Sequence, residues 1–123
     1  MGLEQGVDTA YSAIESAYDG GNGDIYEAMN LVRQAEIKCG LDSLPSEIAK
    51  LRAKIYRTEI RVTAEEVQRL TKERRDGKPN VILTLVQLTS RLGVLKDEAK
   101  ERRLAFRDGY QTILEEALAS YVR

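Results

Sequence analysis

The run Ile48–Leu95, IAKLRAKIYRTEIRVTAEEVQRLTKERRDGKPNVILTLVQLTSRLGVL, decides the fold class. Before Asp76-Gly77-Lys78-Pro79, apolar residues recur at Ile48, Leu51, Ile55 and Val62. After it they recur at Val81, Leu85, Leu88, Leu92 and Leu95, and on to Ala99. Steps of three, four or seven residues put each set on one stripe of an α-helix, which turns once in ~3.6 residues. Gly77 and Pro79 read as a helix stop and a helix start, and so short a connection makes consecutive helices antiparallel neighbours. A second apolar line, Tyr56, Ile60, Ala64, Val67 and Leu70, runs along the first of these helices and implies neighbours on two sides.

Working outward, a first helix is expected over 3–18, with Leu3, Val7, Tyr11, Ile14 and Tyr18 on one face. Asp19-Gly20-Gly21-Asn22-Gly23 ends it. No strand precedes these glycines and no P-loop lysine follows them, so they read as a helix-helix turn, not a phosphate cradle. Asp24-Ile25-Tyr26-Glu27 has capping-box spacing and opens a second helix carrying Ile25, Ala28, Met29, Val32, Ala35 and Ile37, which Gly40 closes. Ser43-Leu44-Pro45-Ser46-Glu47 supplies a hydroxyl cap, a first-turn proline and an acid at the positive helix end, starting a third helix that runs to Arg75. The fourth helix starts at Pro79. Extended to Val122 it would be ~65 Å long at ~1.5 Å per residue, too long for a small domain. Asp108-Gly109 offers a break, and a fifth helix would carry Ile113, Leu114, Ala117, Leu118 and Tyr121. The expected fold is all-α, a single domain over 1–123 forming an antiparallel bundle of four or five helices.

The composition restricts function more than it defines it. With 123 residues, 42% hydrophobic and 32% charged, the chain suits one ordinary globular domain. It has no histidine, which removes the commonest general base and the commonest transition-metal ligand. The di-iron site of ferritin-like bundles needs a Glu-x-x-His motif and is excluded with it. One cysteine, Cys39, can make neither an internal disulfide nor a thiolate cluster. No apolar run approaches the ~18 residues of a membrane span, so no membrane partner is expected. Met1-Gly2-Leu3-Glu4 has neither the basic start nor the apolar core of a signal peptide, and the expected compartment is the cytoplasm.

Charge is unevenly spread. Residues 1–46 hold eight acids against Arg33 and Lys38, while 47–123 hold seventeen bases against twelve acids. The acidic third packing beside the basic remainder accounts for this better than a polyanion-binding face. Glu59 and Glu66 fall on the apolar face with Ile55 and Val62, where carboxylates must be paired. Arg57, Arg61 and Arg69 are near enough to pair with them or with Glu65. An ion-pair lattice is the favoured reading, and an arginine site for phosphate is the competing one. Lys72, Arg74, Arg75 and Lys78 at the hairpin tip, and Lys100, Arg102, Arg103 and Arg107 further on, are interrupted by Glu73, Asp76, Glu98 and Glu101. Only Phe106 lies near to stack a base, so nucleic acid is not an expected partner.

From Leu44-Pro45 to Leu95 the sequence resembles the C-terminal half of the helical-bundle ATP:corrinoid (cobalamin) adenosyltransferases. The resemblance rests on Leu44-Pro45, on Arg57-Thr58-Glu59-Ile60-Arg61, on Ala64-Glu65-Glu66-Val67 with Leu70, on Pro79, and on the frame Leu85, Leu88, Val94 and Leu95. It implies a cobalamin-adenosyltransferase-like, ferritin-like bundle, a trimeric assembly, and nucleotide-site residues at Arg57, Arg61 and Glu65. The departures are specific: Val86, Gln87 and Ser90 stand where the family has asparagine, arginine and aspartate. The family's N-terminal phosphate loop has no counterpart.

Two classes of function follow. In the first, the chain is a divergent relative that has lost adenosyl transfer and keeps an anion or nucleotide pocket near Arg57 and Arg61, with ATP as a weak ligand and no certain cofactor. In the second, it is a homo-oligomeric helical interaction module with no small-molecule site. Whether the chain is an enzyme stays open, and the residues incline against it.

Overall fold

A helix forms wherever the sequence combines a three-to-four residue apolar period with start and stop chemistry. The computed structural model describes the backbone of residues 2–104, 112–113, 115–117 and 119, and their side chains other than those of 2–7 and 79. The helices are α1, Gly2–Tyr18; α2, Ile25–Cys39; α3, Ser46–Arg75; and α4, Ile82–Glu101. Short 3-10 turns at Asp19–Gly21 and Pro79–Val81 follow α1 and precede α4. No described residue lies in a strand, and the protein is an all-α, helical-bundle protein. None of the described helices is long and apolar enough to cross a membrane.

The start and stop signals act as local chemistry predicts. Asp24 caps α2, its Oδ1 accepting from the Glu27 N–H at 3.1 Å. Gly40 ends the same helix, its N–H donating to the Glu36 carbonyl at 2.7 Å. After α3, Gly77 adopts φ 89°, a conformation glycine enters without steric cost. Its N–H reaches the Arg74 carbonyl and the Lys78 N–H reaches the Glu73 carbonyl, both at 3.1 Å. This bond pair is a Schellman cap, and it turns the chain towards Pro79.

Helix α4 ends at Glu101, earlier than the expected break at Asp108-Gly109, which lies outside the described residues. Its cap repeats the geometry after α3 with arginine in the place of glycine. Arg103 has φ 58°, its N–H donates to the Lys100 carbonyl at 3.0 Å, and the Leu104 N–H donates to the Ala99 carbonyl at 2.9 Å. The Arg102 guanidinium adds a bond to the Glu98 carbonyl at 2.9 Å. Arginine is a good helix former, so nothing in Arg102-Arg103 announces a stop. Of the expected fifth helix, Ile113 and Ala117 are helical and Ala117 is buried; Leu114, Leu118 and Tyr121 lie outside the described residues.

The chain forms two compact units, Met1–Thr58 and Glu59–Arg123, and α3 contributes to both. In the first unit the buried apolar residues are Ile14, Ala28, Met29, Val32, Ala35, Ile48, Leu51, Ile55 and Tyr56. The end of α1 is held to α3 by Tyr18, whose hydroxyl lies 2.7 Å from Thr58 Oγ1. Thr58 donates to the Lys54 carbonyl, so Tyr18 is the donor of this bond. In the second unit Ile60, Ala64, Val67 and Leu70 of α3 and Leu85, Leu92, Leu95 and Ala99 of α4 are buried.

Two apolar assignments change. Val62 is 48% exposed rather than buried, because the buried face of α3 passes from Ile48, Leu51 and Ile55 to the line Tyr56, Ile60, Ala64, Val67 and Leu70. Both lines are buried within one chain, so the two-sidedness of α3 gives no reason of its own for a second copy. Ile37 is 84% exposed because Glu36, one residue earlier, takes the inward position.

Candidate functional site

Carboxylates on apolar faces find partners here, but not always those that spacing suggests. Within the second unit, Glu59 of α3 is almost wholly buried and accepts from Arg91 of α4, with Nε at 2.9 Å and Nη2 at 2.6 Å from its Oε1. This fork ties α3 to α4 across a separation of 32 residues. Glu66 pairs one turn along its own helix with Arg69, which also reaches Glu73 at 2.9 Å. The lattice is therefore present, with Arg69 serving Glu66 and Glu73 instead of Glu65. Hydrogen bonding and charge from Arg69 hold the Glu66 carboxyl below its ordinary range, and Glu66 holds the guanidinium above its own.

Helix period alone could not show Arg91, since its partner lies on another helix. The one available signal was indirect: Glu59 on an apolar face requires a cation opposite it. The same holds in the first unit. Glu36 of α2 and Arg52 of α3 form a buried ion pair at 2.8 Å, and Arg52 Nη1 also donates to the Leu41 carbonyl at 3.1 Å. Neither residue was singled out by the sequence.

Arg57, Arg61 and Glu65 all lie on exposed positions of α3, at four-residue intervals. No ion pair engages Arg57 or Arg61 among the described residues. Val86, Gln87 and Ser90 are likewise exposed, on α4. The hairpin-tip cations contribute instead to a shallow depression of about 140 Å³ in the second unit, where Lys72 and Arg75 stand with Gln68, Thr71, Ile113 and Glu116. The Thr71 hydroxyl is turned back to the Val67 carbonyl at 2.7 Å. One open wall and few convergent donors make this a weak place for a ligand. Arg107 lies outside the described residues. Among the described residues no three of His, Cys, Asp or Glu are placed to hold a metal ion.

Some apolar side chains of α4 remain on the surface. Leu83, Val86 and Val94 of α4 are 71%, 37% and 54% exposed. They share a face opposite the buried Leu85, Leu92, Leu95 and Ala99. Fold and surface together define a helical-bundle protein with an uncovered helix face. Comparison of the chain with family models and curated proteins, and of its structure with solved structures, finds no match.

Proposed function

We propose that this chain is a helical assembly module, engaging a further helix through apolar side chains that its own packing leaves outside. One observation carries the reading: Leu83, Val86 and Val94 lie exposed on a single face of α4. Apolar residues scattered singly over a surface need no explanation, whereas aligned ones mark a contact surface. The internal ion pairs fit the same picture, since Glu36 with Arg52 and Glu59 with Arg91 each join one helix to another. On this reading the protein is a cytoplasmic homo-oligomer. Sedimentation at micromolar concentration is the test: an oligomer supports it, and a clean monomer of 13.8 kDa overturns it.

A second reading keeps the resemblance to cobalamin adenosyltransferases. It is supported by the exposed positions of Arg57 and Arg61, one turn apart on α3 and unengaged by ion pairs among the described residues, since arginine forks bind phosphate readily. The chain is then a trimeric, catalytically silent relative with an adenosyltransferase-like fold and a weak ATP site that includes Glu65. An ATP-dependent thermal shift that disappears in Arg57→Ala would support it. No shift, together with no adenosyl transfer to cob(I)alamin in an anaerobic assay, would leave the assembly reading alone.

A further inference from the structure

The solvent face of α3 carries a line of polar side chains whose charges are sorted along it. At ~100° per residue, Arg57, Glu65, Gln68, Lys72 and Arg75 all fall within about 40° of Arg61. All six are exposed, and they recur at every turn. Two cations open the line, two close it, and Glu65 and Gln68 occupy the middle. No ion pair engages the four cations among the described residues. The other acids of this stretch stand elsewhere. Glu66 and Glu73 lie about 120° or more round the helix from Arg61, where Arg69 takes them up. Half-buried Arg74 is off the line as well, so these are not the hairpin-tip cations that sequence spacing picks out.

We propose that this line docks duplex DNA, α3 seated in the major groove with Arg57 and Arg61 on one phosphate strand and Lys72 and Arg75 on the other. A helix ~10–12 Å across matches a groove ~12 Å wide. Arg61 and Lys72 are eleven residues apart, ~16 Å of helix, so the cation pairs extend past the groove to both backbones. Glu65 and Gln68 then face the groove floor, where cytosine and adenine amino groups donate to a carboxylate and an amide. A carboxylate set against phosphate would oppose binding, so the middle of the line is where Glu65 fits. Other polyanions fit less well. The line has no aromatic side chain on which the bases of a single strand could stack. It has no apolar side chain to enter a membrane or to form the core of a protein contact. The deep, narrow groove of an RNA duplex does not admit a helix. With a net charge of −1, the whole chain repels DNA little, and the attraction is local to the line. The proposal stands apart from both readings above, since it uses neither the α4 face nor a pocket.

Fluorescence anisotropy with a short labelled DNA duplex, titrated with the full chain from low to moderate salt, is the test. Four phosphate contacts give an expected slope of about −3.6 for log affinity against log salt. Arg61→Gln and Lys72→Gln should each weaken binding about threefold or more and make that slope shallower by about one. Glu116→Gln should tighten binding, because Glu116 borders the same depression as Lys72 and Arg75 and repels phosphate there. Exposed Lys100 lies on α4, and Lys100→Gln should leave binding unchanged. Circular dichroism checks that each variant keeps its helices. Failure to bind the duplex at low salt overturns the proposal, as does binding that ignores Arg61→Gln and Lys72→Gln. A matched single strand, an RNA duplex, poly-glutamate or phosphatidylserine vesicles held as tightly as the DNA duplex also overturn it, and assign the line to that polyanion.

Discussion

Glu36 and Arg52 meet at 2.8 Å with both side chains almost entirely out of water. Arg52 Nε is buried there without a hydrogen-bond partner, so the pair is not fully satisfied. Removing one member is more damaging than removing both, because it strands a charge. Glu36→Ala should cost about 3–5 kcal/mol, and Glu36→Leu combined with Arg52→Met should recover most of that. Urea denaturation of the two variants measures both values. A loss below about 1 kcal/mol for Glu36→Ala would mean the pair is open to solvent.

Gly23 is needed for space. A Cβ there would sit 2.0 Å from the carbonyl oxygen of Ala17, which no side-chain adjustment can relieve. Gly23→Ala should therefore destabilise the α1–α2 connection by about 3 kcal/mol or more. Gly20, three residues earlier, has φ 61° but nothing within 4 Å of its would-be Cβ. Gly20→Ala meets only backbone strain, about 1 kcal/mol. Thermal melts of the pair separate crowding from conformation, and equal losses would refute the distinction.

After α4 a residue other than glycine takes the left-handed position. Arg103 holds a left-handed φ of 58° that costs a side-chain-bearing residue about 1–2 kcal/mol. Arg103→Gly should raise stability by a few tenths to about 1 kcal/mol, the strain relief being offset in part by glycine's larger unfolded-state entropy. Unchanged or lower stability in urea would show that Arg103 is held there by an interaction worth more than the strain.

Glu66 sets a pH dependence with a definite sign. Arg69 lowers its folded-state pKa, so the pair stabilises the fold above the ordinary carboxylate range and the contribution is lost as pH falls through the lowered value. Both side chains are substantially exposed, and the effect is small and salt-sensitive. Stability of the parent and of Glu66→Gln should differ at neutral pH and converge in acid. A gap that widens on acidification would reverse the assignment.

Tyr11 behaves in the opposite sense. The Glu15 carboxylate beside it raises its phenol pKa, so the folded state resists ionisation. Stability is intact below the ordinary phenol range and declines as pH rises through the raised value. Glu15→Gln should move the tyrosinate absorbance transition to lower pH, and an unmoved transition would rule out the contact.

The helices were legible because burial imposes a period on the sequence. Ile48, Leu51 and Ile55, then Leu85, Leu92 and Leu95, are where the stripes put them, and Gly77 turns where a glycine beside a proline should. Val62 and Ile37 escaped because each sits at the margin of a stripe, where one residue of rotation exchanges inside for outside. Arg91 and Arg52 escaped because pairing across helices leaves no mark on the spacing within either. The α4 face was hidden for a related reason. Its apolar residues lie among Gln87, Ser90 and Gly93, and only the observed burial separates Leu83 and Val94 from the core residues beside them.

Cys39, the last residue of α2, is exposed and is the chain's one thiol. The protein therefore carries a built-in attachment point of defined stoichiometry. One dye per chain can be introduced at the end of α2, so mixing donor-labelled and acceptor-labelled preparations reports subunit exchange in real time. The same thiol makes reducing agent essential, since adventitious Cys39 disulfides would otherwise mimic a specific dimer on non-reducing gels.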